Sequence, residues 1–281
     1  MYRKILFAVA DDEALAGAVP VVAAYARTLG AAVHVLHVHR IDLHAPSLPG
    51  RELVAGVVER IRSEGVAAEG EVRLLDRGDS VPRAIARLAR RDGADLVAIG
   101  SHGRSDLGAL FLGSVSHAVA SGLDVPVLVV RTGAHDAAQP RTVLVAVDGS
   151  DTSDHAVTEA GDVAREFHAN VVVLNVRQVI AVDATAVVPP EDEAQAVVRR
   201  AVLALGRRGV AARGETLVDR SVPAAIAWAA ERHHANLVVL GSRRPSDLSG
   251  LVLGSVAHDV VHRLRCPVLL AGRAAVAEAV S

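Results

Sequence analysis

Short runs of Val, Ile and Leu recur along the chain, bounded by turn residues and too brief for helices. In the first half they are Ile5–Val9, Val33–Val38, Leu96–Ile99 and Val127–Val130. Runs that are apolar at nearly every position predict strands buried on both faces, as in a parallel sheet covered by helices. Longer stretches rich in Ala, Leu and Arg lie between them. Ser80–Arg91 puts Val81, Ile85, Leu88 and Ala89 on one face and Arg83, Arg87, Arg90 and Arg91 elsewhere, the pattern of an amphipathic helix. Ser80 suits its N-cap, and Pro82 falls in the first turn, where its missing N–H is tolerated. Glu52–Glu64 and Asp192–Arg208 predict further helices. Pro20 implies that the first helix starts late or kinks. The alternation implies right-handed crossovers and an open, mostly parallel sheet.

This pattern occurs twice. KILFAVA at Lys4–Ala10 matches TVLVAVD at Thr142–Asp148, and VHVLHV at Val33–Val38 matches VVVLNV at Val171–Val176, both 138 positions apart. SVPRAIARLA from Ser80 matches SVPAAIAWAA from Ser221, and ADLVAIGS from Ala94 matches ANLVVLGS from Ala235, both 141 apart. A period of this length means duplicated domains rather than a solenoid. The expected division is a domain over 1–133, a linker over 134–141 containing Pro140, a domain over 142–275 and a loose tail over 276–281.

Composition narrows the class. The chain has 281 residues, room for two domains. Hydrophobic residues are 51% and aromatics 2%, so the core must be Val, Leu, Ile and Ala. Basic residues number 30 against 32 acidic, with no long basic run, so no nucleic-acid footprint is expected. The single cysteine, Cys266, precedes Pro267 and reads as a small buried residue. The N-terminal apolar run ILFAVA is shorter than a secretory core, and no stretch reaches the length of a membrane span. A soluble cytoplasmic protein is expected.

Chemistry concentrates in one loop. GSHGRSDLGALFLGSV at Gly100–Val115 follows the strand Leu96–Ile99, and GSRRPSDLSGLVLGSV at Gly241–Val256 repeats it. Ligands of open α/β sheets bind at the carboxyl ends of strands, and a helix start offers free N–H groups to phosphate. Gly100, Gly103 and Gly113 would let the backbone turn tightly and approach a ligand, with Ser114 capping the next helix or donating its hydroxyl. Alternatively the glycines serve only turns and helix–sheet contacts. Neither a P-loop nor a G-x-G-x-x-G after a strand is present. His34, His37 and His39 on the second strand have no accompanying ligand cluster in the sequence, so they read as structural or exposed.

Gly100-x2-Gly103-x9-Gly113-Ser114, after DLVAIGSHGRS and before VPVLVV, resembles the nucleotide-binding signature of the universal stress protein family. NLVVLGSRRPS…LGSV…CPVLLA and the opening VLVAVDGSDTSDHAV resemble it again. The resemblance implies two tandem Rossmann-like (HUP-type) α/β domains, each a five-stranded, mostly parallel sheet flanked by helices. It implies an adenine nucleotide, ATP first, with Mg²⁺ possible through the phosphates. The contacts it implies are Gly100, Gly103, Arg104, Gly113, Ser114 and Val115 in the first copy. In the second they are Gly241, Arg244, Gly254, Ser255 and Val256. An Asp ending the first strand, and backbone ending the second, would hold the nucleoside. These fall on Asp148 and Val176 in the second copy, and on Ala10 and Val38 in the first, with Asp11 as the substitute carboxylate. The last strands of the family pair across a two-fold axis, so a tandem chain could pair internally, and a further homodimer is possible.

The copies depart from the signature differently. The first keeps its glycines but has Ala10; the second keeps Asp148 but has Arg244 where a glycine belongs. Arg244 either folds over the phosphates, fills the site, or stays in solvent. Tighter ATP binding is expected in the first copy. The leading expectation is a nucleotide-binding regulator of stress adaptation. The competing readings are a slow ATPase or phosphotransfer enzyme, and an interaction module without nucleotide.

Overall fold

The computed structural model describes residues 1–10, 14–39, 50–75, 78–101, 123–131, 138–182, 185–241 and 254–272. The first half runs β1 (Lys4–Val9), α1 (Ala14–Leu29), β2 (Ala32–His39), α2 (Arg51–Ser63), β3 (Ala68–Leu74), α3 (Val81–Arg91), β4 (Leu96–Ser101) and β5 (Val127–Arg131). The second begins β6 (Thr142–Ala146), α4 (Asp151–Phe167) and β7 (Asn170–Gln178), followed by a small hairpin, β8 (Ile180–Val182) and β9 (Thr185–Val187). It ends with α5 (Glu191–Arg207), β10 (Ala212–Asp219), α6 (Val222–Arg232), β11 (Leu237–Gly241), α7 (Ser255–Arg263) and β12 (Val268–Ala271).

Ten strands form one sheet in the order β10-β7-β6-β11-β12-β5-β4-β1-β2-β3. Ladders within each half are parallel, and β5 meets β12 antiparallel with Leu128 opposite Leu269. The order of strands reverses at β1 in one half and at β6 in the other, which places a crevice at the carboxyl end of each.

Alternation on the central strands feeds two helix layers. Ile5, Phe7 and Val9 of β1 enter a layer with α1, α2, α4 and α5, whose core includes Val22, Tyr25, Ile61, Val163 and Leu205. Leu6 enters the opposite layer with Ile85 of α3, Ile226 of α6 and Val260 of α7. The first layer is continuous between the halves: the Tyr25 and Phe167 rings lie 4.8 Å apart, and the Tyr2 hydroxyl donates to Glu159.

The helix α1 begins at Ala14 and runs on through Pro20, ahead of the start expected from that proline. Residues 21–26 are all buried, so packing outweighs one missing backbone bond. Ser80 occupies the N-cap of α3 without a side-chain cap bond; its own N–H donates to Asp79 Oδ1 at 2.8 Å. Its copy Ser221 does cap α6, accepting from the Ala224 N–H at 3.3 Å. The edge strands β3 (AEGEVRL) and β10 (ARGETLVD) are too polar to stand out as apolar runs. Among the described residues, no helix is long and apolar enough to cross a membrane.

Candidate functional site

At the carboxyl ends of β6, β7 and β11 a cavity of 420 Å³ opens in the second half. Leu174, Ile226 and Leu240 supply apolar walls, with Val176 and Gln178 along β7. Asp148 follows β6 at one side. Gly241 ends β11, and Gly254, Ser255 and Val256 bring the start of α7 to the other side. The site therefore combines an apolar slot with a helix N-terminus, whose first-turn N–H groups favour an anion.

Local sequence builds each wall. Gly149 has φ +85°, so the chain turns sharply between Asp148 and α4, and a Cβ there would stand 3.1 Å from Val197. Asp148 Oδ1 then accepts from the Ser150 N–H at 3.0 Å and from its hydroxyl at 2.5 Å. Ser150 caps α4 through the Ser153 N–H at 3.3 Å. The Asn175 side chain donates to the Val147 carbonyl at 2.8 Å, fixing the end of β6 against β7. In the first half His37 stands in the equivalent place, with Nδ1 3.0 Å from the Val9 carbonyl oxygen.

Two glycines have different reasons for being glycine. A Cβ on Gly241 would lie 2.7 Å from the Thr152 carbonyl oxygen, so this position serves the close approach of β11 to α4 as well as the cavity. Gly254 is the N-cap of α7 with φ −55°, an ordinary conformation, and offers no side-chain cap. Ser255 is consequently the first helical residue rather than the cap expected from its copy Ser114.

Of the sequence-predicted residues, Asp148, Val176, Gly241, Gly254, Ser255 and Val256 all line the cavity. In the first half Ala10 is exposed after β1, Val38 is half-buried near the end of β2, and Gly100 pairs with Val130 in β4. Asp11, Gly103, Arg104, Gly113, Ser114, Val115 and Arg244 lie outside the described residues. Sequence reading missed Asn175, Ser150 and Gln178. Asn175 did carry a signal, a polar residue interrupting the apolar run VVVLNV.

The histidines of β2 divide. His34 is buried and structural, one of the two readings the sequence offered, but two carboxylates accompany it that the sequence did not place there: Nδ1 lies 2.6 Å from Asp92 Oδ2, and Nε2 lies 3.8 Å from Glu71 Oε1. The three side chains hold ligand atoms within 4.8 Å of one another. Arg91 bridges both carboxylates at 2.7 and 2.8 Å, and Arg73 holds Glu71 at 2.8 Å. Two arginines thus neutralise two carboxylates, so the group is an ion-pair network tying the edge strand to α3. Burial pushes the Asp92 carboxyl up, but Arg91 and His34 together hold it below the usual carboxylate range. Contact between these distant positions required the β2–β3 register, which pairs His34 with Glu69 and Leu36 with Glu71. Cys266 is half-buried by residue exposure, and burial pushes its thiol up to about 12, an inert thiol at neutral pH.

A duplicated, doubly wound α/β chain with a slot at the strand carboxyl ends is an open-sheet architecture whose ligands bind where the strand order reverses. The universal stress protein family model matches residues 1–131 and again 140–272. A universal stress protein of Mycolicibacterium smegmatis is 31% identical over 74% of this chain and 70% of its own length. One from Mycobacterium tuberculosis is 28% identical over 79% of this chain and 76% of its own. The crystal structure of a universal stress protein from Archaeoglobus fulgidus superposes with a TM-score of 0.77 at 21% identity, covering 96% of this chain and 98% of that one. The chain belongs to the universal stress protein family, in a form with two tandem copies.

Proposed function

We propose that the chain binds an adenine nucleotide, ATP first, and works as a regulator through occupancy rather than turnover. The observation that carries this reading is the cavity of 420 Å³ with an apolar slot, Asp148 at one end and the start of α7 at the other. Adenine would fill the slot, the ribose would meet Asp148, and the phosphates would face Ser255 and the first-turn amides of α7. A divalent cation, Mg²⁺, would accompany the phosphates from solvent. The functional unit is the pair of domains over 1–133 and 142–275, joined through their last strands and acting in the cytoplasm during stress adaptation. A homodimer of the whole chain is compatible with this reading.

Isothermal titration of the full chain with ATP tests it. Asp148→Ala should weaken the second-copy site by roughly tenfold, the size of one lost hydrogen bond to a buried polar group. If the first copy binds more tightly, Ser114→Ala will cost more than Ser255→Ala. A chain that takes up no ATP in titration, and releases none on denaturation when freshly purified, refutes the nucleotide reading. Rapid single-turnover hydrolysis, lost in Ser114→Ala, would replace a regulator with an enzyme.

A further inference from the structure

Helix α7 is nine residues long, and a helix of that length does not hold itself together in water. Its first turn forms the anion end of the cavity. Its last turn lacks the usual finish: the C-cap Leu264 is extended, with φ −78° and ψ 148°, and no left-handed residue closes the open carbonyls. Those carbonyls are instead taken by a side chain from the other copy. Arg131 Nη1 donates to the carbonyls of His262 at 2.6 Å, Leu264 at 3.0 Å and Val261 at 3.3 Å.

Arg131 is the last residue of β5, and it pairs in register with Ser101, next to Gly100 where the first copy's glycine loop starts. A cation at a helix C-terminus answers both the open carbonyls and the helix dipole. Half-burial and the nearby Arg265 lower its proton affinity, yet an arginine stays charged. The arrangement has no mirror image, because the equivalent of Arg131 in the second copy is Gly272.

We propose that Arg131 is a positioning residue for the second copy's nucleotide site: by capping the far end of α7 from the first copy, it holds the anion-binding first turn in place. This rests on the nucleotide reading above. The two ends of α7 lie roughly 13 Å apart, so the effect travels along one rigid element rather than through a diffuse path. Occupancy of the second site would, by linkage, also strengthen the grip of Arg131 and so favour the junction between the copies.

Two measurements on the full chain test this. Hydrogen exchange without nucleotide should show Arg131→Ala accelerating exchange along α7 as far as the His258 amide, which bonds to Gly254 at the cavity. Acceleration confined to the last turn overturns the proposal. ATP titration should show roughly three- to tenfold weaker binding at the second site in Arg131→Ala, the size of a lost helix cap, with Arg131→Lys recovering part of it. Ile61→Val, a core change in the first copy, should lower global stability without this loss. Unchanged ATP affinity in Arg131→Ala overturns the positioning role. Failure of the wild type to bind ATP overturns the nucleotide reading and the affinity claim together, and hydrogen exchange then decides the capping role by itself.

Discussion

The two copies share a backbone plan but fasten it with different side chains. Where Asn175 ties β7 to β6 through an amide, His37 ties β2 to β1 through a ring nitrogen. Where the first copy closes its edge strand with His34, Glu71 and Asp92, the second has Val172 in place of His34 and makes Glu215 pair with His233 and Arg232. The imidazole has moved from the strand to the end of the helix, while the contact survives. The frame thus demands a bond between the edge strand and the end of a helix, and it accepts more than one chemistry for it. Contacts between the copies are not exchangeable in this way. Tyr2 reaches Glu159 and Arg131 reaches α7, whereas the equivalent positions of Tyr2 and Arg131 are Pro140 and Gly272, which carry no donor side chain.

The largest test of this comparison is at a position both copies keep. Gly241→Val places a Cβ 2.7 Å from backbone oxygen and should destabilise by about 3 kcal/mol in urea unfolding. Gly100→Val should match it if the first copy packs β4 on α1 in the same way.

Importing Val172 into the first copy comes next. His34→Val leaves Asp92 facing no imidazole and should cost about 2 kcal/mol at neutral pH. Because the Asp92 carboxyl is held below 3.8, its contribution is present above that value and fades as pH falls through the lowered folded value. Without His34 the lowering is smaller, so the acid side of the stability curve should flatten in a pH series of urea midpoints.

Asn175→Ala should cost about 1 kcal/mol by leaving the Val147 carbonyl without its side-chain donor. Asn175→His, which copies His37, should recover more than half of it. Equal losses from both variants would show that the two fastenings are not interchangeable.

The smallest effect is expected at the junction. Burial, ahead of the opposing hydrogen bond from Tyr2, raises the Glu159 carboxyl above 4.5. A raised acid contributes stability below its unfolded value and loses it as pH rises through the folded value. Glu159→Gln should therefore flatten the stability profile on the alkaline side of pH 4.5, by less than about 1 kcal/mol.

Much of the frame was readable in the sequence because its central strands are apolar at nearly every position and recur at fixed spacing. Ile5–Val9 and Leu96–Ile99 fell inside β1 and β4. The edge strands were hidden because one side faces water and charge: β3 carries Glu69, Glu71 and Arg73, and its pairing shows only in three dimensions. Pro20 did not delay the start of α1, because its local cost was outweighed by burial along that helix. At the site, spacing marked Gly241, Gly254 and Ser255 and left a ligand and a helix–sheet contact as alternative reasons for the glycines; at Gly241 the close approach of Thr152 of α4 supplies the second. Arg131 was invisible as a cap, since its partners lie 130 or more positions away.

The antiparallel meeting of β5 and β12 leaves β3 and β10 as the outer margins of the ten-stranded sheet. Those margins carry Glu69, Glu71 and Arg73 on one side and Arg213 and Glu215 on the other, charges that discourage strand-by-strand polymerisation. The faces of the molecule left without this deterrent are its helices and loops, so the charge on the margins works against lengthening the sheet with further copies.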